Sequence, residues 1–154
     1  MKPTRGYKKE ELYDQVLSQL QSRKEVVLES IRRVEEGLNS ESKSSAGDKH
    51  ETGRAMLQLE REKLGRQLKL IETDEKTVSR ISINESSSVI KLGSLVSTSQ
   101  LNYFLSVAIG AISMNNETIY AISMSSPIGQ ELVSKKVGDL IQFRDQQIKV
   151  LNVE

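Results

Sequence analysis

Apolar residues at alternating three- and four-residue spacings run through the first part of the sequence. Neither Pro nor Gly occurs between residues 8 and 36, and the only polar residue in the series is Lys24. This spacing puts apolar side chains on one stripe of a helix and is typical of a coiled-coil seam. We therefore predict a long helix over about residues 8–38, with its seam formed by Tyr13, Leu17, Leu20, Val27, Ile31, Val34 and Leu38.

A second helical stripe follows a Ser-rich stretch. Residues 39–48 end in Gly47-Asp48 and predict a turn. Two helices joined by a short turn can bury their apolar stripes against each other. We predict an antiparallel α-helical coiled-coil hairpin over residues 1–80 with its tip at about 39–50, and we expect it to project into solvent. The second stripe consists of Leu57, Leu64, Leu68, Ile71 and Val78.

The composition changes near residue 80. Before it the chain is rich in Leu, Glu, Lys, Gln and Arg, which favour helices, and after it in Ile, Val, Ser, Thr and Tyr, many of which favour strands. Turn residues in MNNET separate the second and third of three strand-like runs. These runs cover residues 89–98, 102–110 and 118–124.

The last thirty residues predict one helix and two more strands. Ser126 is a suitable N-cap and Pro127 suits the first helical position, so a short helix is expected there. A turn at 137–139 and strands at about 140–144 and 147–153 complete an antiparallel sheet with one short helix over residues 85–154. The whole chain is thus predicted to be a two-domain α+β protein.

The composition excludes several functions. The chain has no Cys and one His, so disulfides, thiol catalysis and a structural zinc site are not expected. A net charge of +1 gives no basis for free nucleic-acid binding. No apolar run approaches the ~18 residues of a membrane span, and the start lacks a signal-peptide core, so we expect a soluble cytoplasmic protein. His50 is not part of an HExxH motif, and no P-loop or GxGxxG occurs, so an enzyme with its own active site is not supported.

Asp48 and Glu51 are three residues apart where the second helix is expected to begin. One interpretation is a capping box, in which both side chains satisfy free backbone N–H groups and favour the positive helix end. The other is that they offer oxygen ligands to a hard cation such as Mg²⁺. Two ligands are too few for octahedral Mg²⁺, so a partner would have to complete such a site. The two interpretations are compatible.

Two segments resemble motifs of the Gre family of bacterial transcript-cleavage factors. The stretch GDKHET, residues 47–52, is similar to the GD-x-x-EN motif at the tip of the family's coiled coil. The stretch SPIGQELVSKKVGD, residues 126–139, is similar to the SPI(G/A) segment and VGD-like turn of its C-terminal domain. The resemblance covers nearly the full chain, and it implies that the C-terminal domain is FKBP-like.

The resemblance implies an accessory factor and not an enzyme. Its C-terminal domain would bind bacterial RNA polymerase near the secondary channel, and its coiled coil would enter that channel. Asp48 and Glu51 would share a Mg²⁺ ion with the polymerase active site, where the polymerase cleaves the 3′ end of backtracked RNA. The factor would be a monomer that meets RNA only within the complex. The residues expected to bind polymerase are Ser126, Pro127, Ile128 and Gly129.

The tip departs from the family pattern at four positions. Lys49 and His50 replace a Leu-Ser-like pair, Thr52 replaces Asn, and Ala55 stands where the family often has Tyr. Positive charge beside the carboxylates could weaken the negative field of the tip. A secondary-channel regulator without cleavage activity is therefore an alternative, and a coiled-coil interaction module for another partner is a second one.

Overall fold

The computed structural model describes residues 7–43 and 48–154, without the side chains of residues 41–43 and 48–50. Leu20–Glu75 form one compact unit, and the flanking residues form the other. Within the described ranges no helix is long and apolar enough to cross a membrane. The elements are α1 (Lys9–Lys43), α2 (Asp48–Ser79), β1 (Leu95–Thr98), β2 (Asn102–Leu105), β3 (Gly110–Met114), β4 (Glu117–Ile122), α3 (Pro127–Leu132), β5 (Leu140–Phe143) and β6 (Gln146–Val153).

The unit Leu20–Glu75, called the helical unit below, is a pair of antiparallel helices. Lys24 pairs with Glu75 at 3.0 Å, and Glu35 pairs with Arg61 at 3.1 Å. The later residue on α1 pairs with the earlier residue on α2, so the two helices run in opposite directions. The predicted seam is confirmed over this range: the buried core is Val27, Ile31, Val34, Leu64 and Ile71, against which Leu38, Leu57 and Leu68 pack.

The turn predicted at 39–48 is too long. α1 continues to Lys43, and α2 begins at Asp48. The segment from Asn39 to Lys43 contains neither Pro nor Gly, so nothing in it forces the helix to end. Residues 44–47, which join the two helices, lie outside the described residues.

The beginning of α1 buries a different face from the one predicted. Leu12 and Val16 are fully buried, whereas Leu17 is 40% exposed. Tyr13 is half-buried, and its hydroxyl donates to the carbonyl oxygen of Val78 at 3.3 Å. The assignment of Leu17 to the seam was therefore wrong, whereas Tyr13 contacts α2 as predicted. This part of α1 belongs to the unit that contains the sheet, so packing within that unit decides which face is buried.

The sheet has six strands in the order β3-β4-β2-β1-β6-β5. Five antiparallel strands were predicted, but β2 pairs with β4 in parallel. The run at 102–110 is two strands, because residues 106–109 leave the ladder and Gly110 has φ of 95°. The turn at Asn115-Asn116 was placed correctly, and both residues have positive φ, as a tight hairpin turn requires. It joins β3 to β4.

Both faces of the sheet carry buried side chains. On one face Val96, Tyr103 and Leu105 form a cluster with Ile128 and Leu132 of α3. Neighbouring strand positions point to the other face, and they are buried as well. Examples on that second face are Leu95, Phe104, Ile119 and Ala121. A sheet covered on both sides explains why its strands have apolar runs with little alternation.

Candidate functional site

The predicted carboxylates lie at the start of α2. Asp48 is the first helical residue and Glu51 follows one turn later, where its side chain is exposed. A capping box needs Asp48 just before the helix, and helix ends are defined only to one or two residues. Because the side chain of Asp48 lies outside the described residues, the predicted cap stays a prediction. Residues three apart do share a face of a helix.

The residues around Glu51 leave its carboxylate facing solvent. Thr52 is exposed, and the guanidinium of Arg54 donates to the carbonyl oxygen of Leu38 on α1 at 3.1 Å. From Asp48 to Glu75 the helix extends ~40 Å at 1.5 Å per residue. Glu51 is thus at the end of the helical unit opposite to Leu20 and Glu75.

Two acidic residues lie within the first turn of α2, at this end of the helical unit. Among the side chains that the structure describes, no three Asp, Glu or His residues come together as metal ligands. Asp48 and Glu51 offer carboxylate oxygens, which Mg²⁺ prefers, but they fill two of its six positions. The positive end of α2 also disfavours a cation, so the two negative charges are needed to offset it.

The SPIG segment, residues 126–129, forms the predicted helix start. Ser126 is the N-cap of α3, and its Oγ accepts a hydrogen bond from the Gly129 N–H at 3.1 Å. The same hydroxyl donates to the carbonyl oxygen of Ser123 at 2.7 Å. Pro127 occupies the first turn, where its missing N–H costs nothing. This prediction is confirmed.

Two residues of this segment have a structural role, because they are buried. Ile128 and Gly129 are buried, Ser126 is half-buried, and Pro127 is exposed. A Cβ atom added at Gly129 would lie 2.2 Å from the carbonyl oxygen of Ser123, so no larger residue fits there. Their identities thus have a structural explanation that needs no partner. Polymerase binding by the segment stays a prediction, and Pro127 is the one of its four residues that is exposed.

The unit that contains the sheet has a cavity that no sequence pattern predicts. The cavity has a volume of about 460 Å³. Most of its lining comes from residues 80–94, which follow α2 and have little regular structure. The strand predicted over residues 89–98 begins only at Leu95. The side chains of residues 80–94 converge through the fold and not through their spacing, so the sequence does not predict the cavity.

Comparison with known proteins gives a limited result. No family model matches the chain, and no curated protein matches it. Among solved structures, the crystal structure of Thermus aquaticus Gfh1 is similar at 22% sequence identity, covering 92% of each chain with a TM-score of 0.34. A likeness this loose carries no argument about function.

Proposed function

We propose that this protein is a Gre-type accessory factor that binds bacterial RNA polymerase at the secondary channel and stimulates cleavage of backtracked RNA. The observation that carries the proposal is the exposed carboxylate of Glu51 in the first turn of α2, at one end of an antiparallel helix pair. The Gre-like order of Gly47, Asp48 and Glu51 in the sequence supports it.

The chemistry divides between two proteins. Asp48 and Glu51 supply oxygen ligands, and the polymerase supplies the rest of the site and the RNA. When bound, a Mg²⁺ ion in such a site activates water and stabilises charge on the phosphate. The helix pair is narrow, so it can carry two carboxylates into a channel that a globular domain cannot enter. The factor itself needs no pocket for substrate.

The test uses a stalled, backtracked polymerase complex with Mg²⁺. Glu51→Gln keeps the shape of the side chain and removes its charge, so cleavage should slow by about tenfold or more, as is typical when a metal site is disturbed. Glu72→Gln is the matched control, because Glu72 is exposed on the same helix about 30 Å away at 1.5 Å per residue. Equal rates for wild type and Glu51→Gln would contradict the metal role.

Melting temperatures separate capping from the metal role. Gln at position 51 can still accept a backbone hydrogen bond, so Glu51→Gln should melt close to wild type. Parallel loss of cleavage and of helix stability would indicate that Glu51 acts as a cap.

The second candidate is a secondary-channel regulator that leaves RNA intact. Lys49 and His50 between the carboxylates favour it, because a cation there competes with Mg²⁺. It predicts polymerase binding without RNA shortening by wild type. The double substitution Lys49→Leu, His50→Ser should then introduce cleavage. If the chain does not bind polymerase at all, both candidates fail.

A further inference from the structure

The cavity in the unit that contains the sheet has the size of a small-molecule site. Its volume of about 460 Å³ falls in the usual range of roughly 300–1,000 Å³ for such sites. Its lining comes from Lys9 on α1, from residues 80–94, and from Met124, Val133, Ser134 and Glu154. All of these residues belong to one compact unit.

A buried ammonium group stands in the wall of this cavity. Lys9 is only 6% exposed, and its Nζ donates to the carbonyl oxygen of Glu154 at 3.0 Å. Lysine is rarely buried this completely. A charge held away from bulk water acts more strongly on a bound anion than a charge at the surface. Arg80 and Lys91 add two exposed cations to the same lining.

The cavity also contains acidic groups, and one of them is only loosely paired. Lys91 Nζ lies 3.8 Å from Glu85 Oε2, and the two side chains are 55% and 66% exposed. Such an exposed pair contributes little and separates easily. Glu85 and Glu154 are the acidic residues of the lining, which also contains the three basic residues Lys9, Arg80 and Lys91.

Hydroxyl groups and an apolar wall complete the lining. Ser94 is 3% exposed, and its Oγ accepts the N–H of Lys91 at 3.0 Å, so its hydroxyl hydrogen can point towards a ligand. The other hydroxyls belong to Ser82, Ser87 and Ser134. The apolar part consists of Val89, Ile90, Leu92, Met124 and Val133.

We propose that this cavity binds a small phosphate monoester that carries an organic group. The phosphate faces Lys9, Arg80 and Lys91, and the organic group packs on the apolar wall. A phosphate monoester has a charge of about −1.5 to −2 at neutral pH and three acceptor oxygens. Charge-assisted hydrogen bonds to Arg and Lys suit it. The volume leaves room for the organic group beside the phosphate.

Calorimetric titration of the full chain tests the proposal. The probes are AMP, ribose 5-phosphate and inorganic phosphate at constant ionic strength, because salt screens exposed charges. Both monoesters should bind more tightly than inorganic phosphate. AMP above ribose 5-phosphate identifies a nucleotide, and equal affinities identify a sugar phosphate.

Charge substitutions with opposite expected signs make the test specific. Arg80→Gln and Lys91→Gln should each weaken AMP binding about tenfold, the loss of one charge-assisted bond. Glu85→Gln should strengthen it severalfold, because it frees Lys91. Lys136→Gln is the matched control, since Lys136 is an exposed cation of the same unit outside the cavity. All four positions are exposed, so melting temperatures should stay close to wild type.

Three results would overturn the proposal. They are the absence of saturable binding by either monoester at millimolar concentration, an equal loss of affinity in Lys136→Gln and Lys91→Gln, and weaker binding by Glu85→Gln. Tighter binding of inorganic phosphate than of either monoester would contradict the proposed contact between an organic group and the apolar wall. None of these outcomes depends on polymerase, so the proposal stands or falls apart from the proposed cleavage function.

Discussion

At Gly129 the backbone of α3 lies directly against the chain that leads into it. An added Cβ would stand 2.2 Å from the carbonyl oxygen of Ser123 and 2.8 Å from the Oγ of Ser126. Neither atom can move away cheaply, because the two are hydrogen-bonded to each other and Ser126 caps the helix. The close approach excludes every side chain at this position.

Gly129→Ala should therefore lower the free energy of unfolding by about 3 kcal/mol, the cost of forcing an atom into a packed site. Gly65→Ala is the control. The nearest atom to its added Cβ is the movable end of the Arg61 side chain at 3.2 Å. Because Ala favours a helix interior, Gly65→Ala should raise the free energy of unfolding by about 0.5–1 kcal/mol. Urea unfolding curves measure both, and similar midpoints would contradict the close approach.

Asp74 is a carboxylate placed beside apolar side chains. It lines a groove on the helical unit together with Val26 and Leu70, both 67% exposed. Burial raises the pKa of Asp74 above its ordinary value of 3.8, and nearby Arg23 lowers the pKa in part. Since the folded state holds this proton more tightly than the unfolded state, stability falls as the pH rises from 3.8 through the folded pKa.

Asp74→Asn removes this charge, so the variant should melt at a higher temperature than wild type at pH 7. The difference in melting temperature between the two proteins should shrink as the pH falls towards 3. Asp74 of wild type is then protonated, so the side chain at position 74 is neutral in both proteins. Melting curves at both pH values measure the effect, with Asp14→Asn on exposed Asp14 as the control. A difference that grows on acidification would show that the cation at Arg23 outweighs burial.

At the scale of elements, the helix pair contains one polar position in an apolar seam. Lys24 is half-buried there, and its Nζ lies 3.0 Å from Glu75 Oε1 and 3.4 Å from Oε2. Replacing Lys24 with Leu would extend the apolar core, while Glu75 remains accessible to water.

Lys24→Leu should raise the free energy of unfolding by about 1 kcal/mol, part of the value for a fully buried Leu. Lys69→Leu, on exposed Lys69 of α2, should change it by less than about 0.5 kcal/mol. Thermal unfolding followed by helical circular dichroism measures both. A lower melting temperature for Lys24→Leu would mean that the ion pair stabilises more than an apolar contact can.

Residue spacing and capping residues predicted the secondary-structure elements well where interactions between neighbouring residues determine them. The helix pair follows from the spacing of residues such as Ile31 and Ile71, and α3 follows from Ser126 and Pro127. The errors occur where tertiary packing decides. Burial of Leu12 and Val16 in place of Leu17, and the parallel pairing of β2 with β4, depend on distant parts of the chain that no local spacing contains.

At the scale of the whole molecule, the two compact units differ in how completely their core side chains are buried. The residues of the core cluster of the helical unit each keep 6–8% exposure, as at Val27 and Leu64, and Leu20 at the edge of this unit keeps 2%. The sheet cluster includes fully buried Val96, Leu105 and Val150. Local stability follows the burial of such cores.

We therefore expect amides of the helical unit to exchange with solvent at least about tenfold faster than those of β1, β2 and β6. Hydrogen exchange followed by mass spectrometry measures this for each segment. Uniform protection along the chain would show that the two units open together.

The candidate sites differ in how far the sequence predicts them. Asp48 and Glu51 were identifiable, because a turn followed by a helix places them at its first turn. The cavity was not, because Lys9 and Lys91 are far apart in the sequence and are brought together by folding. Sites on a single helix can be predicted from spacing, whereas sites made by several segments need the fold.

The Lys24–Glu75 pair also favours one alignment of the two helices along their length. Apolar side chains alone would pack nearly as well if one helix were shifted along the other by seven residues, a displacement of about 10 Å. An ammonium and a carboxylate at 3.0 Å are in contact in only one of these alignments, so the pair favours that alignment. The alignment determines which part of α1 lies beside the end of α2 that carries Glu51. A polar pair within a seam can therefore select one alignment of two helices, even where an apolar residue would hold them together more strongly.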